Sequence, residues 1–418
     1  MDAHTMIEQL ARSARAAAAT LAVTRGEQRD RALRTCAAAI RESRRTLQEE
    51  NARDLARSEE FGLSGAMVKR LTLDDGRIDK MATALEEIAM QVDPVGEAIS
   101  AGNRPNGIRV EKRRVPIGVI GIIFESRPNV TSDAAGLCIK SGNAVILRGG
   151  KEAIHSNLAI AKVFREGIAA AELPEAAMTV IDTPDRAVVP AMATAEGLID
   201  LIIPRGGAGL IRAVTEAATI PVIKHYDGIC HVYVHSEADL DMAEEIAFNA
   251  KVQYPAVCNA METLLVDDAV AETFLPRIAR RLIEAGVELR GCERSRQIVP
   301  EMHEAGEADW SAEYLDLVLS VKVVSDAASA VEHINRYGSK HTDAIVTRSI
   351  AAGEAFVGAV DSSSVMVNAS TRFSDGARYG LGAEIGISTD KLHARGPMGA
   401  ADLTTYKWVV TGDGHIVR

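Results

Sequence analysis

The spacing of apolar and polar positions divides the chain into three stretches. Up to residue 92 the apolar residues recur at helical spacing. Leu33, Cys36, Ala37 and Ile40 share one face, and Ile78, Met81, Leu85 and Ile88 form a second stripe after the cap candidates Asp74 and Asp75. The many Arg and Glu residues between these stripes read as solvated faces. Asp93-Pro-Val-Gly96 ends the helical stretch. Next, Gly107 to Val115 alternates apolar and charged residues at period two, which predicts a half-buried strand in need of a partner, such as a second subunit.

From Val115 the pattern becomes short, almost wholly apolar runs separated by helical ones. Val119 to Phe124, Ala144 to Leu147, Thr179 to Ile181, Leu198 to Ile203 and Ile220 to Ile223 read as parallel strands buried on both faces. Between them a helix carries Ile154, Leu158, Ala161, Phe164 and Ile168 and is closed by Pro174. A second series follows: His231 to Val234, Thr263 to Val266, Val321 to Val324, Ala344 to Thr347 and Val365 to Val367, with helices Asp239 to Ala250 and Ala327 to Tyr337. The β-branched and aromatic tail, Leu403 to Thr411, is placed to pair with the strand near residue 110. The fold class expected is α/β, with two doubly wound parallel-sheet domains and a small β element.

Composition narrows the function. At 418 residues the chain exceeds one comfortable core, and with 47% hydrophobic but only 4% aromatic residues those cores are aliphatic. A net charge of -11 argues against a nucleic-acid backbone as partner, because phosphates need a basic face. Anionic small molecules need only a local Arg, Lys or helix N-terminus. Cys36, Cys138, Cys230, Cys258 and Cys292 are odd in number and lack C-x-x-C spacing, so neither a disulfide frame nor a metal site is expected, and a reducing, cytoplasmic setting is. The run from Val115 to Phe124 is about half a bilayer span, so no membrane is expected.

Three stretches offer chemistry. Cys258 lies between a Pro-containing turn and the strand that starts near Thr263, where a thiolate is reachable by a substrate; a buried core thiol is the alternative. Two Gly-rich turns, Leu147-Arg-Gly-Gly-Lys151 and Pro204-Arg-Gly-Gly-Ala-Gly209, follow buried strands read here as neighbours. Each leads into a helix whose N–H groups suit a phosphate, although neither matches G-x-G-x-x-G, and plain turns are the alternative. Asn129 follows the strongest strand, as an oxyanion-stabilising amide, a turn residue or a helix cap.

Taken together, Phe124-Glu-Ser-Arg-Pro-Asn-Val-Thr131, Gly142-Asn-Ala-Val-Ile-Leu-Arg-Gly-Gly-Lys151, Val257-Cys-Asn-Ala-Met-Glu-Thr263, Asn368-Ala-Ser-Thr-Arg-Phe-Ser-Asp375, Gly382-Ala-Glu-Ile-Gly-Ile-Ser-Thr389 and Leu392-His-Ala-Arg-Gly-Pro-Met-Gly399 resemble the aldehyde dehydrogenase superfamily and, more narrowly, its glutamate-5-semialdehyde dehydrogenase branch. The resemblance implies an aldehyde-dehydrogenase-like fold: an NADP(H)-binding domain over residues 1–227, with 104–116 in a β oligomerisation element, and a catalytic domain over 228–367. It implies that 368–418 supplies a substrate loop, a return to the cofactor domain and a C-terminal oligomerisation strand.

By the same resemblance, Cys258 is the nucleophile and Asn129 the oxyanion amide. Arg148, Lys151, Gly206, Gly207, Gly209 and Glu313 hold NADPH or NADP. For the substrate, Arg127 and Arg372 are the candidate cations for the leaving phosphate or the α-carboxylate, a structural ion pair being the alternative for each, and Asn368, Thr371 and Ser374 are candidates for the amino-acid end. The general-base Glu of hydrolytic relatives is replaced by the segment His225-Tyr-Asp-Gly228, with His225 a substitute base or an orienting residue. The implied reaction is reduction of L-glutamate 5-phosphate to the semialdehyde through a thioester. The implied partners are an acyl phosphate substrate, further copies of the chain, and room for an association with glutamate 5-kinase.

Overall fold

The computed structural model describes residues 2–417. Two compact units share the chain. One comprises Met1–Lys224, Gly380–Gly386 and Leu392–Arg418; the other comprises His225–Tyr379 and Ile387–Lys391. The first unit thus ends three residues short of the expected 227, and residues 368–379 fold with the second unit.

The first unit opens with the helices Ala3–Val23, Gly26–Glu42, Arg44–Leu55, Gly65–Leu71 and Asp75–Met90. Asp2 caps the first by accepting from Thr5 N–H, and Asp74 caps the fifth by accepting from Arg77 N–H. Leu33, Cys36, Ala37 and Ile40 are buried, as are Ile78, Met81, Leu85 and Ile88. The expectation of solvated charged faces fails at Arg29. This side chain is only 1% exposed and is held by Asp93 at 2.6 Å, so the Asp93 corner is tied to a buried guanidinium.

The unit's parallel sheet uses the fully buried β3 (Val119–Phe124), β4 (Ala144–Arg148), β5 (Met178–Val180) and β6 (Leu201–Arg205), in the order β5-β4-β3-β6. The two Gly-rich turns therefore follow strands that are separated by β3, a correction to their reading as neighbours. Ile220 to Ile223 does not form a strand; Val222 makes a single bridge to Ile202, because Pro221 has no N–H to donate and offers only its carbonyl. A separate antiparallel sheet joins β1 (Ala98–Asn103), β2 (Arg109–Pro116) and the C-terminal strand Thr404–Thr411. The tail thus covers the strand near residue 110 within the same chain, Trp408 lying opposite Lys112.

The second unit is built on a seven-stranded parallel sheet. Its strands are β7 (Cys230–Val234), β8 (Met261–Asp267), β9 (Glu288–Gly291), β10 (His303–Glu304), β11 (Val318–Val324), β12 (Thr342–Val346) and β13 (Ser364–Val367), in the order β10-β9-β11-β8-β7-β12-β13. Every residue of β7, β8 and β12 is buried, the signature of central parallel strands. The flanking helix Asp268–Glu284 adds Phe274, Leu275, Ile278 and Leu282 to the core. β9 and β10 are short and partly polar, so they carry no apolar run to read in advance.

Candidate active site

In the second unit, β8, β7 and β12 are adjacent and parallel, so the residues that precede them meet along one edge of the sheet. Cys258 precedes β8, His225 precedes β7, and His341 immediately precedes β12. The Cys258 thiol and one ring nitrogen from each histidine all lie within 4.8 Å of one another. Cys258 and His225 are half-buried and His341 is buried.

The thiol loop is held from several sides. Gly228 packs so tightly beneath it that an added Cβ would lie 1.9 Å from the Cys258 carbonyl oxygen; only glycine permits this approach. The Gly228 N–H donates to Glu313 Oε1 at 2.7 Å. Burial, with help from Asp227, raises the pKa of that carboxyl. The Cys230 thiol donates to the Cys258 carbonyl at 3.2 Å, and Asn259 Nδ2 donates to the Ser374 carbonyl at 2.8 Å. Behind the loop, Lys251 and Glu262 form a fully buried ion pair at 2.6 Å that joins the preceding helix to β8. Burial pushes Glu262 up to about 7 against the pull of Lys251, and lowers Lys251.

The imidazoles are oriented as well. His225 Nδ1 lies 2.9 Å from the Ile387 carbonyl, which only accepts, so Nδ1 carries a proton and, in the neutral ring, Nε2 the lone pair. His341 Nδ1 is 2.9 Å from Thr342 Oγ1 and 3.7 Å from Cys230 Sγ. The two rings meet edge to face with centroids 5.7 Å apart. By contrast, Cys36, Cys138 and Cys230 are buried, and burial drives their thiols up, Cys36 to about 12.

The remaining expected residues of this unit differ in placement. Arg372 is half-buried and donates to Gln253 Oε1 at 3.0 Å; burial, then Arg378, lowers its pKa, while Cys258 contributes in the opposite sense. Thr371 is fully buried with its hydroxyl unpaired, and Ser374 Oγ bonds Ser364 Oγ at 3.3 Å. Asn368 is set apart from the thiol. With a φ of 56° at the far end of the sheet, it clamps Thr347 by giving its amide to the carbonyl and accepting from the N–H, both at 2.9 Å.

In the first unit the other candidates gather at the carboxyl edge of the sheet. Gly206 and Gly207 form the turn after β6 and Gly209 lies in the first turn of the helix Ala208–Ala217; a Cβ on Gly207 or Gly209 would meet nothing within 4 Å, so this segment faces open space. Gly206 is different: a Cβ there would lie 2.4 Å from Glu125 Oε2, the carboxylate that accepts from Gly207 N–H at 3.0 Å. The helix N-terminus thus already receives an anionic group. After β4, Arg148 is half-buried with Nε unpaired and Nη2 on the Pro184 carbonyl at 3.2 Å, and Lys151 stands over the Phe61 ring. The open glycine turn after β6 and the under-coordinated guanidinium at the end of β4 lie on the same edge of the sheet, on either side of β3. Arg127 is exposed on the turn after β3, and Asn129 begins the helix Asn129–Lys140, where Nδ2 donates to Asp133 at 2.8 Å. Burial pushes that aspartate up to about 6.

His341 was not legible as a site residue. It stands alone before an apolar strand, and only the pairing of β12 with β7 brings it to the thiol.

This arrangement has counterparts. Residues 2–316 match the model of the aldehyde dehydrogenase family. The chain belongs to that family. Within it, the chain is 52% identical over 416 residues to a gamma-glutamyl phosphate reductase of Moorella thermoacetica, all of both chains being covered. It is 54% identical over 410 residues to that of Geobacter metallireducens, with 98% of each covered. The crystal structure of gamma-glutamyl phosphate reductase from Thermotoga maritima superposes with a TM-score of 0.96 at 44% identity, over 98% of this chain and 99% of that one. An acetylating aldehyde dehydrogenase from Geobacillus thermoglucosidasius, 18% identical with a TM-score of 0.69 over 100% of this chain and 98% of that one, shares the fold.

Proposed function

We propose that this protein is an NADPH-dependent reductase that converts L-glutamate 5-phosphate to L-glutamate 5-semialdehyde and phosphate, the second step of proline synthesis. The observation that carries the reading is the half-exposed Cys258 thiol held among His225 and His341. The likeness to gamma-glutamyl phosphate reductases along the whole chain supports the choice of substrate.

The Cys258 thiolate attacks the acyl carbon. A C–S bond forms, the C–O bond to phosphate breaks, and phosphate leaves with the electron pair, so a thioester remains. His225 Nε2 takes the thiol proton, since Nδ1–H is engaged by the Ile387 carbonyl. When bound, the nicotinamide cofactor supplies the hydride that reduces this acyl carbon. The Cys258 N–H and the Asn129 amide, which retains a second N–H beyond the one given to Asp133, stabilise the resulting oxyanion. Collapse breaks the C–S bond and releases the aldehyde and the thiolate.

Arg148 and Lys151 would hold the extra phosphate of NADPH, and the turn at Gly206, Gly207 and Gly209 its pyrophosphate. Glu313 supports Gly228 and would also take the nicotinamide ribose. Arg372, with Thr371 beside it, is the substrate anchor favoured by its partial burial near the thiol, and Arg127 is a second cation for the phosphate end. The C-terminal edge strand, with Tyr406, Trp408 and Val410 about half exposed, is the surface by which copies of the chain would associate.

The test is the reverse reaction. With NADP, phosphate and the semialdehyde supplied, reduction of the nicotinamide should require phosphate. An equal rate without phosphate would identify a hydrolytic dehydrogenase instead.

A further inference from the structure

The three side chains at the amino edge of the second sheet are also a ligand set. We propose that Cys258, His225 and His341 form a site for a thiophilic divalent cation, zinc above all, whose binding reversibly blocks the thiol. One thiolate and two imidazoles from three separate segments, with donor atoms within 4.8 Å of one another, match the chemistry zinc selects. A tetrahedral zinc site, with bonds of about 2.0 Å to nitrogen and about 2.3 Å to sulfur, needs its ligand atoms about 3.5 Å apart. Cys258 is half-exposed and lies in a loop, so a turn of its side chain toward the two imidazoles is the movement that the closed site calls for.

The surroundings support metal ligation in a way that proximity alone does not. A histidine that binds a metal commonly donates its other N–H to a carbonyl, which fixes both tautomer and ring direction. His225 does this through Nδ1 and the Ile387 carbonyl at 2.9 Å, leaving Nε2 with its lone pair. His341 is likewise steadied through Nδ1 by Thr342 Oγ1. The three ligand atoms offer nitrogen and sulfur, with no carboxylate in the group, so magnesium and calcium are poorly served. Three protein ligands leave a fourth position for water. Binding displaces the thiol proton to solvent and ties up the sulfur lone pair, so a bound cation and an acyl group on sulfur exclude one another. The ligation itself does not depend on the reaction proposed above; the inhibition does.

Cobalt(II), a spectroscopic stand-in for zinc, provides the test on the full chain. One equivalent should bind with a thiolate-to-cobalt charge-transfer band in the near ultraviolet and tetrahedral ligand-field bands in the visible, both abolished by added zinc. Cys258→Ser should lose the charge-transfer band. His225→Asn and His341→Asn should each bind cobalt at least about tenfold more weakly, with circular dichroism confirming that they are folded. Absence of the band in the unaltered protein, or equal cobalt affinity in folded His225→Asn and the unaltered protein, would overturn the proposal. If the band appears but zinc leaves turnover unchanged, the ligation stands and the role of Cys258 as nucleophile falls.

Discussion

The two sheets present their chemistry at opposite edges. In the first unit the candidates follow their strands: Arg148 ends β4, and the Gly206 turn follows β6, at the carboxyl edge where parallel α/β sheets ordinarily bind ligands. In the second unit Cys258, His225 and His341 all precede their strands, at the amino edge. The carboxyl edge offers helix N-termini and backbone N–H groups, a setting for anions. The amino edge of the second sheet offers side chains steadied by carbonyl groups, as His225 is by Ile387, and these suit a nucleophile and a proton acceptor. On the function proposed above, one fold type would serve binding in one unit and covalent chemistry in the other, according to which end of the strands carries the loops.

The sharpest way to break this contrast is to remove the thiol. Cys258→Ala should lower kcat by at least about 10⁴-fold, while NADPH binding, measured by nicotinamide fluorescence, stays within error of the unaltered protein. Loss of both would mean that the two edges do not divide the labour. Gly228→Ala probes the support of the amino edge. Its Cβ would collide with the Cys258 carbonyl, so the loop must shift by an ångström or so, at an expected loss in kcat of about 10²-fold. Unchanged turnover in this variant would show that the thiol loop tolerates displacement.

Arg148→Ala tests the carboxyl edge in the complementary sense. The KM for NADPH should rise by about tenfold with kcat little changed, the pattern of lost ground-state binding. A fall in kcat alone would move Arg148 into the chemistry.

His333 provides a control, a buried imidazole of the same unit that is not among the three clustered side chains. Burial, then the electrostatic influence of neighbouring His231, Lys322 and Arg336, pulls its pKa down to about 2. Because the unfolded chain takes up this proton first, near pH 6.5, the stability tied to the neutral ring is complete above that pH and falls below it. The slope should be about 1.4 kcal/mol per pH unit, read from denaturant unfolding between pH 6.5 and 4.5. His333→Leu should flatten it, and an identical slope in that variant would place the acid sensitivity elsewhere.

Much of this contrast could be read from the chain. The helical stripes around Leu33 and Ile78, the apolar strand runs other than Ile220 to Ile223, and the pairing of the tail with the strand near residue 110 all follow from local periodicity, and the structure contains each of them. Arg29 escaped because a charge on a helix reads as solvated until its buried partner, here Asp93, is known. Strand order also escaped. The insertion of β3 between the two Gly-turned strands is a property of the crossover path, and no local pattern reports it. His341 was hidden for the same reason, since its nearness to Cys258 arises from the order β8-β7-β12. Asn368 shows the converse, a residue within a family-like motif whose amide is occupied in closing the end of β12.

The measurement closest to the central claim is the mass of the protein caught between its two half-reactions. Incubated with NADP and the semialdehyde without phosphate, and quenched in acid, the chain should gain the mass of one glutamyl group, and peptide mapping should place it on Cys258. The adduct should disappear when phosphate is added before the quench. A glutamyl group on another cysteine, or phosphate-dependent turnover persisting in Cys258→Ala, would contradict the account.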